Sequence, residues 1–376
     1  MKSMKLLIAV IFLFSVTASA IGREESDVSK TFKVGKGALL KVSLTTGDIS
    51  INVWNKAEVS VNLDGVSQSD MDQITLKQDG NTILVSDNGA GGWSNNIDAV
   101  ISVPAQIDLD VSTNYGDIEC SGNLVGNVKA SSNAGDLVFR NVQGKVSMNT
   151  NGGDIRIGSV GGTLNLSTSG GDIETGSVGF TADVTTMGGS IKMGSVGKDL
   201  TLSTMGGDIN LGSVGGNATV STLGGSISLD KVGGSASLRT NGGNIRLLGA
   251  DGEVKAKTFG GNITLKNIKG SVNAYTSAGD VEIELYPSAS GENKVSTMSG
   301  GIKLSLPSNA KATVEATVRA SGGSEYDEKL IDSDFPSANY DVRHDEVHAV
   351  YQINGGGAKI SLKSMNDKIR IRKISK

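Results

Sequence analysis

Six aspartates could do chemistry together. Asp117, Asp136, Asp154, Asp172, Asp208 and Asp280 each follow a glycine and precede an aliphatic residue. From Asp136 onward they fall on multiples of one 18-residue step. Carboxylates stacked ~5 Å apart repel unless they are solvated, hydrogen-bonded or bridged by a cation, so calcium is the first chemistry to weigh. A calcium-binding β-roll, however, needs a nine-residue Gly-Gly-x-Gly-x-Asp period. Here the period is twice that, and Ser190, Ser226, Asn244 and Asn262 interrupt the acidic column. Asp, Asn and Ser share a short side chain that accepts a bond from a nearby backbone N–H. The column reads as corner caps, and no metal ligand is assigned.

The two histidines lie in His344-Asp345-Glu346-Val347-His348. A zincin needs His-Glu-x-x-His on a helix, but the second position here is Asp345. Alternating Val342, Val350 and Ile353 point instead to strand or loop, and to an exposed pair that binds nothing. β-Helix enzymes gather acids, cations and aromatic sugar platforms in a cleft walled by long loops. This chain has uniformly short corners from 136 to 280 and no visible Ser-His-Asp set, so no catalytic residue and no cofactor is assigned.

One corner position varies: Asn151, Ser169, Met187, Met205, Leu223, Asn241, Phe259 and Ser277 stand before successive glycines. Met187, Met205, Leu223 and Phe259 form a candidate interaction strip, since contiguous exposed apolar surface marks interfaces. The alternative is that they fold over the corner and finish the core. A column of Thr150, Thr168, Thr186, Thr204, Thr222, Thr240, Thr258 and Thr276 suggests ice binding less well. Those surfaces want outward Thr-x-Thr ranks, and the parity of this column is inward.

The elements that position these residues follow from the repeat. Gly-Asp/Ser/Asn-aliphatic triplets run from Gly135-Asp136-Leu137 to Gly279-Asp280-Val281 in steps of 18. Val142, Val160, Val178, Val196, Val214 and Val232 keep the same step, continued by Ala250 and Ile268. Within a coil, Leu164, Leu166 and Thr168 alternate with Thr163, Asn165 and Ser167, and alternation restarts at Ile173. Period two means strands. The expected fold is therefore an all-β, single-stack β-solenoid with 18-residue coils and two short strands per coil. Neighbouring strands would lie ~4.8 Å apart, and the corner glycines are expected to supply positive φ. The outward column Arg156, Glu174, Lys192, Asn210, Ser228, Arg246, Thr264 and Glu282 begins with opposite charges on adjacent coils.

Outside the regular array, residues 111–305, the pattern loosens. Residues 21–110 remain strand-rich, with a stray corner at Thr46-Gly47-Asp48-Ile49 and a Gly/Asn loop around Trp93, and read as an irregular N-terminal cap. Residues 306–376 read as C-terminal coils and cap, with an acidic loop over 321–337. The alternating cations of Lys368-Ile369-Arg370-Ile371-Arg372 suit an exposed edge that must not pair.

Residues 1–20 combine Lys2 and Lys5, an apolar run from Leu6 to Val16 and Ala18-Ser19-Ala20, the pattern of a cleaved signal peptide. That run is too short to span a bilayer, and no later segment is apolar enough to do so. The expected location is the periplasm, the cell surface or the exterior. With 52 Gly, 4 Pro and 4% aromatics, the chain has material for a narrow aliphatic core and little for a bulky one. Net charge −4 gives no bulk attraction to nucleic acid. Cys120 is the single cysteine, so stability must come from ladders and stacking rather than disulfides.

The leader, Val103-Pro104-Ala105, the Gly-Asp-Ile corners and Gly355-Gly356-Gly357-Ala358-Lys359-Ile360-Ser361-Leu362 together resemble a family of exported bacterial β-solenoids called adhesins. The resemblance covers roughly residues 30 to 373. It implies the fold and a surface role without enzymatic residues to carry over. Nothing at the C-terminus reads as amphipathic barrel strands, so self-export is not expected. The functional expectation is a non-catalytic envelope protein that binds a protein or glycan partner through its solenoid faces. The alternative is a carbohydrate-active enzyme with its site in the irregular flanks.

Overall fold

The computed structural model of the protein describes residues 25–89, 96–288, 291–319, 329–343 and 345–374. The expected leader, Trp93 and His344 lie outside the described residues. The chain is an all-β solenoid, and Met71–Gln73 forms a single 3-10 turn among the described residues. One regular coil shows the plan. Leu164–Ser167 and Ile173–Thr175 are its two strands, each paired in parallel register with its equivalent one coil away. Val178 adds a third contact, a one-residue parallel bridge to Val160 and Val196. The coil is thus three-sided, with two strand faces and a narrow third face along the valine column.

Alternation decides what the coil encloses. Leu164, Leu166, Ile173 and Val178 are buried, whereas Asn165 and Glu174 are exposed. Stacked coils turn these positions into continuous Leu, Ile, Val, Met and Ala ladders. The outward charges behave in part as expected. Lys192 Nζ sits 2.7 Å from Glu174, but Arg156 turns to Asp136 and Asp154 instead of Glu174. Ion pairs this exposed contribute little.

Two polar ladders close the corner between the strand faces. Each buried threonine hydroxyl donates to a glycine carbonyl of the preceding coil, as Thr168 does to Gly153 at 2.9 Å and Thr186 to Gly171 at 3.0 Å. The same oxygen accepts the N–H of the second glycine of its own coil, Gly171 or Gly189, at 3.3 Å. Backbone groups that the tight turn leaves without partners are satisfied in this way. The acidic column forms the second ladder. Asp117 accepts the N–H of Asp136, Asp136 that of Asp154, Asp154 that of Asp172 and Asp172 that of Ser190, all at 2.7 to 2.8 Å. The ladder runs on through Ser190, Asp208, Ser226, Asn244 and Asn262 to Asp280, which accepts from Gly301. It also reaches back to Asp98 and Asp48, so Thr46-Gly47-Asp48-Ile49 is a genuine corner.

The corner glycines serve a different purpose from the one expected. No glycine from Gly122 to Gly270 has positive φ, a conformation found among the glycines only toward the two ends, as at Gly47, with φ 119°. Close stacking is the reason for them. A Cβ on Gly171 would meet the carbonyl oxygen of Gly153 at 2.1 Å, and one on Gly189 would meet that of Gly171 at 2.0 Å. The first glycine of the pair has more room: a Cβ on Gly170 would find its nearest neighbour at 3.4 Å.

The ends do not follow chain order. Ala38–Thr46 and Ile49–Trp54 form the coil next to the regular array, between the later coil of Thr82–Ser86 and Asp98–Pro104 and that of Ile107–Tyr115 and Ile118–Cys120. Outside them, antiparallel strands Glu25–Lys33, Glu58–Ser67 and Thr75–Asp79 end the stack. The C-terminal end mirrors this. Ala358–Met365 and Ile369–Lys373 enter between Glu292–Ser299/Ile302–Leu306 and Ala312–Arg319/Ile331–Ser333. The expectation of an exposed terminal edge is therefore corrected: the strand carrying Arg370 and Arg372 is paired on both sides. Arg372 bonds Asp332 and lies 3.5 Å from Asp334, both on the neighbouring segment, which includes a strand where a loop was expected. Antiparallel Glu346–Ile353 and Asn339–Arg343 close that end.

Three outcomes test this architecture. Ile209→Asp or Leu202→Asp places a charge on a fully enclosed ladder and should cost several kcal/mol, read as a large fall in Tm. Gly171→Ala should likewise lower Tm strongly while Gly170→Ala changes it little; equal effects would contradict the stacking account. Because the corner carboxylates already bond backbone N–H groups, EDTA should leave the thermal unfolding curve unchanged. A fall in Tm that calcium restores would instead assign the column to a cation.

Candidate functional site

The ladders dictate where the variable corner residue points. Thr186 is held inward by its two bonds and Gly189 is pressed against the preceding coil, so the residue after the threonine sits at the tip of the corner. Met187, Met205, Leu223 and Phe259 are accordingly 47, 48, 51 and 41% exposed. They do not fold over the corner. The backbone keeps them in register, with Met205 N–H donating to Met187 C=O at 3.2 Å and Leu223 N–H to Met205 C=O at 3.3 Å. Side chains repeating at the coil spacing make one apolar rank.

The rank is longer than the repeat revealed. Met298 and Met365 occupy the same corner in the two coils stacked after that of Ser277 and are 51 and 39% exposed. The threonine role there falls to Thr297 and Ser364, which donate to Gly279 and Gly300. These coils are separated by 21 residues or more, so an 18-residue search passes over them; the signal was a Thr or Ser followed by Met. Among the described residues, six of the twelve exposed large apolar side chains stand on this one edge. Asn241 interrupts it between Leu223 and Phe259, and its Oδ1 is buried without a hydrogen-bond partner. Next to Ser277, Tyr275 fills the gap: its ring packs edge-on to Phe259 at 6.4 Å and its hydroxyl meets Ser277 at 3.0 Å and Met298 Sδ at 3.3 Å. Toward the N-terminal end the same column becomes an amide ladder of Asn114, Asn133 and Asn151.

Other surfaces offer less. The narrow face carries a shallow groove of about 710 Å³, lined by Ser159, Ser177, Ser195, Ser213 and the glycines beside the valine column, with Lys231 at one end. It brings no acid–base pair together. Among the described residues no three His, Cys, Asp or Glu side chains are grouped to hold a metal. His348 lies in Glu346–Ile353, opposite Thr317 and Asp341, in strand as its flanking alternation implied. Burial pushes the Cys120 thiol up to about 11, which keeps it protonated and unreactive. Lys266 and Lys303 hold the Glu282 carboxyl below the usual range, and Lys269 and Lys231 do the same to Asp251. These are carboxylates neutralised by cations rather than poised to move a proton. What the arrangement supplies is a rank of exposed apolar side chains on one edge.

The Toastrack DUF4097 family profile matches residues 37–215 and again 195–372. No curated protein matches the chain. Among solved structures, a candidate adhesin of Bacteroides fragilis is 14% identical, with 76% of this chain and 100% of that one covered and a TM-score of 0.27. A candidate adhesin of Parabacteroides distasonis is 15% identical, over 75% of this chain and 98% of its own, at TM-score 0.29. A candidate lipid-binding protein of the same species is 16% identical, over 74% and 93%, at TM-score 0.23. The two overlapping profile matches span the solenoid from its first inner coil to its last, and on that extent the chain belongs to the Toastrack DUF4097 family.

Proposed function

We propose that the protein is an exported, adhesin-like scaffold of the bacterial cell envelope, non-catalytic, that binds a protein or glycan partner through its solenoid faces. The observation that carries this reading is the rank of Met187, Met205 and Leu223, exposed on three consecutive coils with nothing folded over them. Leaving half of each of three large apolar side chains in water forgoes burial worth about 1 kcal/mol each, which contact with a partner would recover. The rest of the surface suits the same role. Its strands are short and straight-registered and its regular corners are short. Such a body presents contacts along a line rather than enclosing a substrate.

The test replaces all three residues by Ser, the type that Ser169 and Ser277 already place at this corner. Tm should stay within a few degrees of the parent, because the ladder of Ile191, Ile209 and Ile227 beneath is untouched. Binding to immobilised cell-envelope material, protein and glycan fractions separately, should weaken about tenfold or more. Retained binding by a folded variant would remove the rank as the contact. Loss of folding would assign the three side chains to the core.

A further inference from the structure

The apolar edge changes character along its length. Beside Met187, Met205 and Leu223 the outward residues two positions earlier are Thr185, Ser203 and Ser221. From the next coil that flanking column reads Arg239, Lys257, Tyr275, Ser296 and Lys363. Arg239, Lys257 and Lys363 are exposed, and none makes an ion pair with another described residue. On the opposite flank Arg246 and Arg370 are in the same condition, while Lys303 is engaged by Glu282 at 3.0 Å. Besides Glu282, held by Lys266 and Lys303, and Asp332, held by Arg372, two acids share this stretch. Asp280 accepts the N–H of Gly301 and Asp367 that of Lys368. Five unpaired cations against these two carboxylates leave a local positive excess on a chain whose net charge is −4.

The cations are also packed with apolar groups. Lys257 Nζ lies 4.9 Å from the ring centre of Phe259 and 5.4 Å from that of Tyr275. Phe259, Met298 and Met365 project beyond them, 41, 51 and 39% exposed. The edge is a convex ridge one side chain wide. A rigid protein partner would need a matching groove to bury it, whereas a lipid interface yields around a ridge. A row of apolar side chains with cations alongside is the composition that seats a protein at the headgroup boundary of an anionic bilayer.

We propose that this C-terminal half of the edge docks on an anionic bilayer surface. Phe259, Met298 and Met365 enter the headgroup–acyl boundary, and Arg239, Lys257 and Lys363 meet lipid phosphates. The site is separate from the Met187, Met205 and Leu223 rank, so each reading can fail without the other.

Flotation of the mature protein with vesicles tests it. Binding is expected to phosphatidylcholine vesicles containing phosphatidylglycerol, to be much weaker to phosphatidylcholine alone, and to fall as salt rises. Arg239→Ser, Lys257→Ser and Lys363→Ser together should weaken it roughly a hundredfold at unchanged Tm. Phe259→Ser, Met298→Ser and Met365→Ser together should weaken it as well. The Ser variant of Met187, Met205 and Leu223 should still float. Equal binding to neutral and anionic vesicles, none to either, or full binding by the folded charge variant would overturn the proposal. So would binding that salt leaves unchanged, a readout that needs no variant.

Discussion

The distance between one coil and the next governs this molecule. Parallel backbone hydrogen bonds fix that distance near 4.8 Å, and every residue must tolerate its own equivalent above and below. At the corner, where the chain turns most sharply, the spacing leaves no room for a Cβ on the second glycine. The same spacing brings a threonine hydroxyl within reach of the preceding coil's carbonyl, and an Asp, Asn or Ser side chain within reach of the next coil's N–H. Glycine, threonine and the short polar column are three answers to one constraint. They are also why the residue between threonine and glycine is left facing outward.

Much of this was written in the sequence because a solenoid repeats its physics at a fixed interval. The inward parity of Leu202 and Ile209, the corner at Asp48 and the inward threonines follow from alternation and spacing alone. The purpose of the glycines was not legible. Composition says that Cβ is absent, but not whether dihedral angle or neighbouring backbone forbids it. Strand order at the ends was equally hidden, since alternation in Lys368–Arg372 describes a strand's two faces and says nothing about its edges. Met298 and Met365 escaped for a simpler reason, because insertions shift them out of step with the repeat.

The apolar edge and the polar ladders are linked. Because corner stability rests on Thr and Asx bonds, the residue that tips the corner is freed from any structural duty. That freedom lets one column carry amides at one end, methionine and leucine in the middle, and a cation-flanked aromatic and methionine rank at the other. A single backbone plan can thus present different chemistry along its length without altering its core.

The placement of the last two strands has a consequence for assembly in time. Ile331–Ser333 pairs only with Ile369–Lys373 among the described strands, and Ile369–Lys373 also completes the edge left by Ile302–Leu306. A chain emerging N-terminus first can add coils one upon another as far as Leu306, each finding its neighbour already built. Beyond that point the order inverts: the outermost segment precedes in the chain the segment that lies beneath it. Closure of the C-terminal end can therefore be completed only when Ala358–Met365 and Ile369–Lys373 are made, although Ala312–Arg319 can by then be paired with Glu346–Ile353.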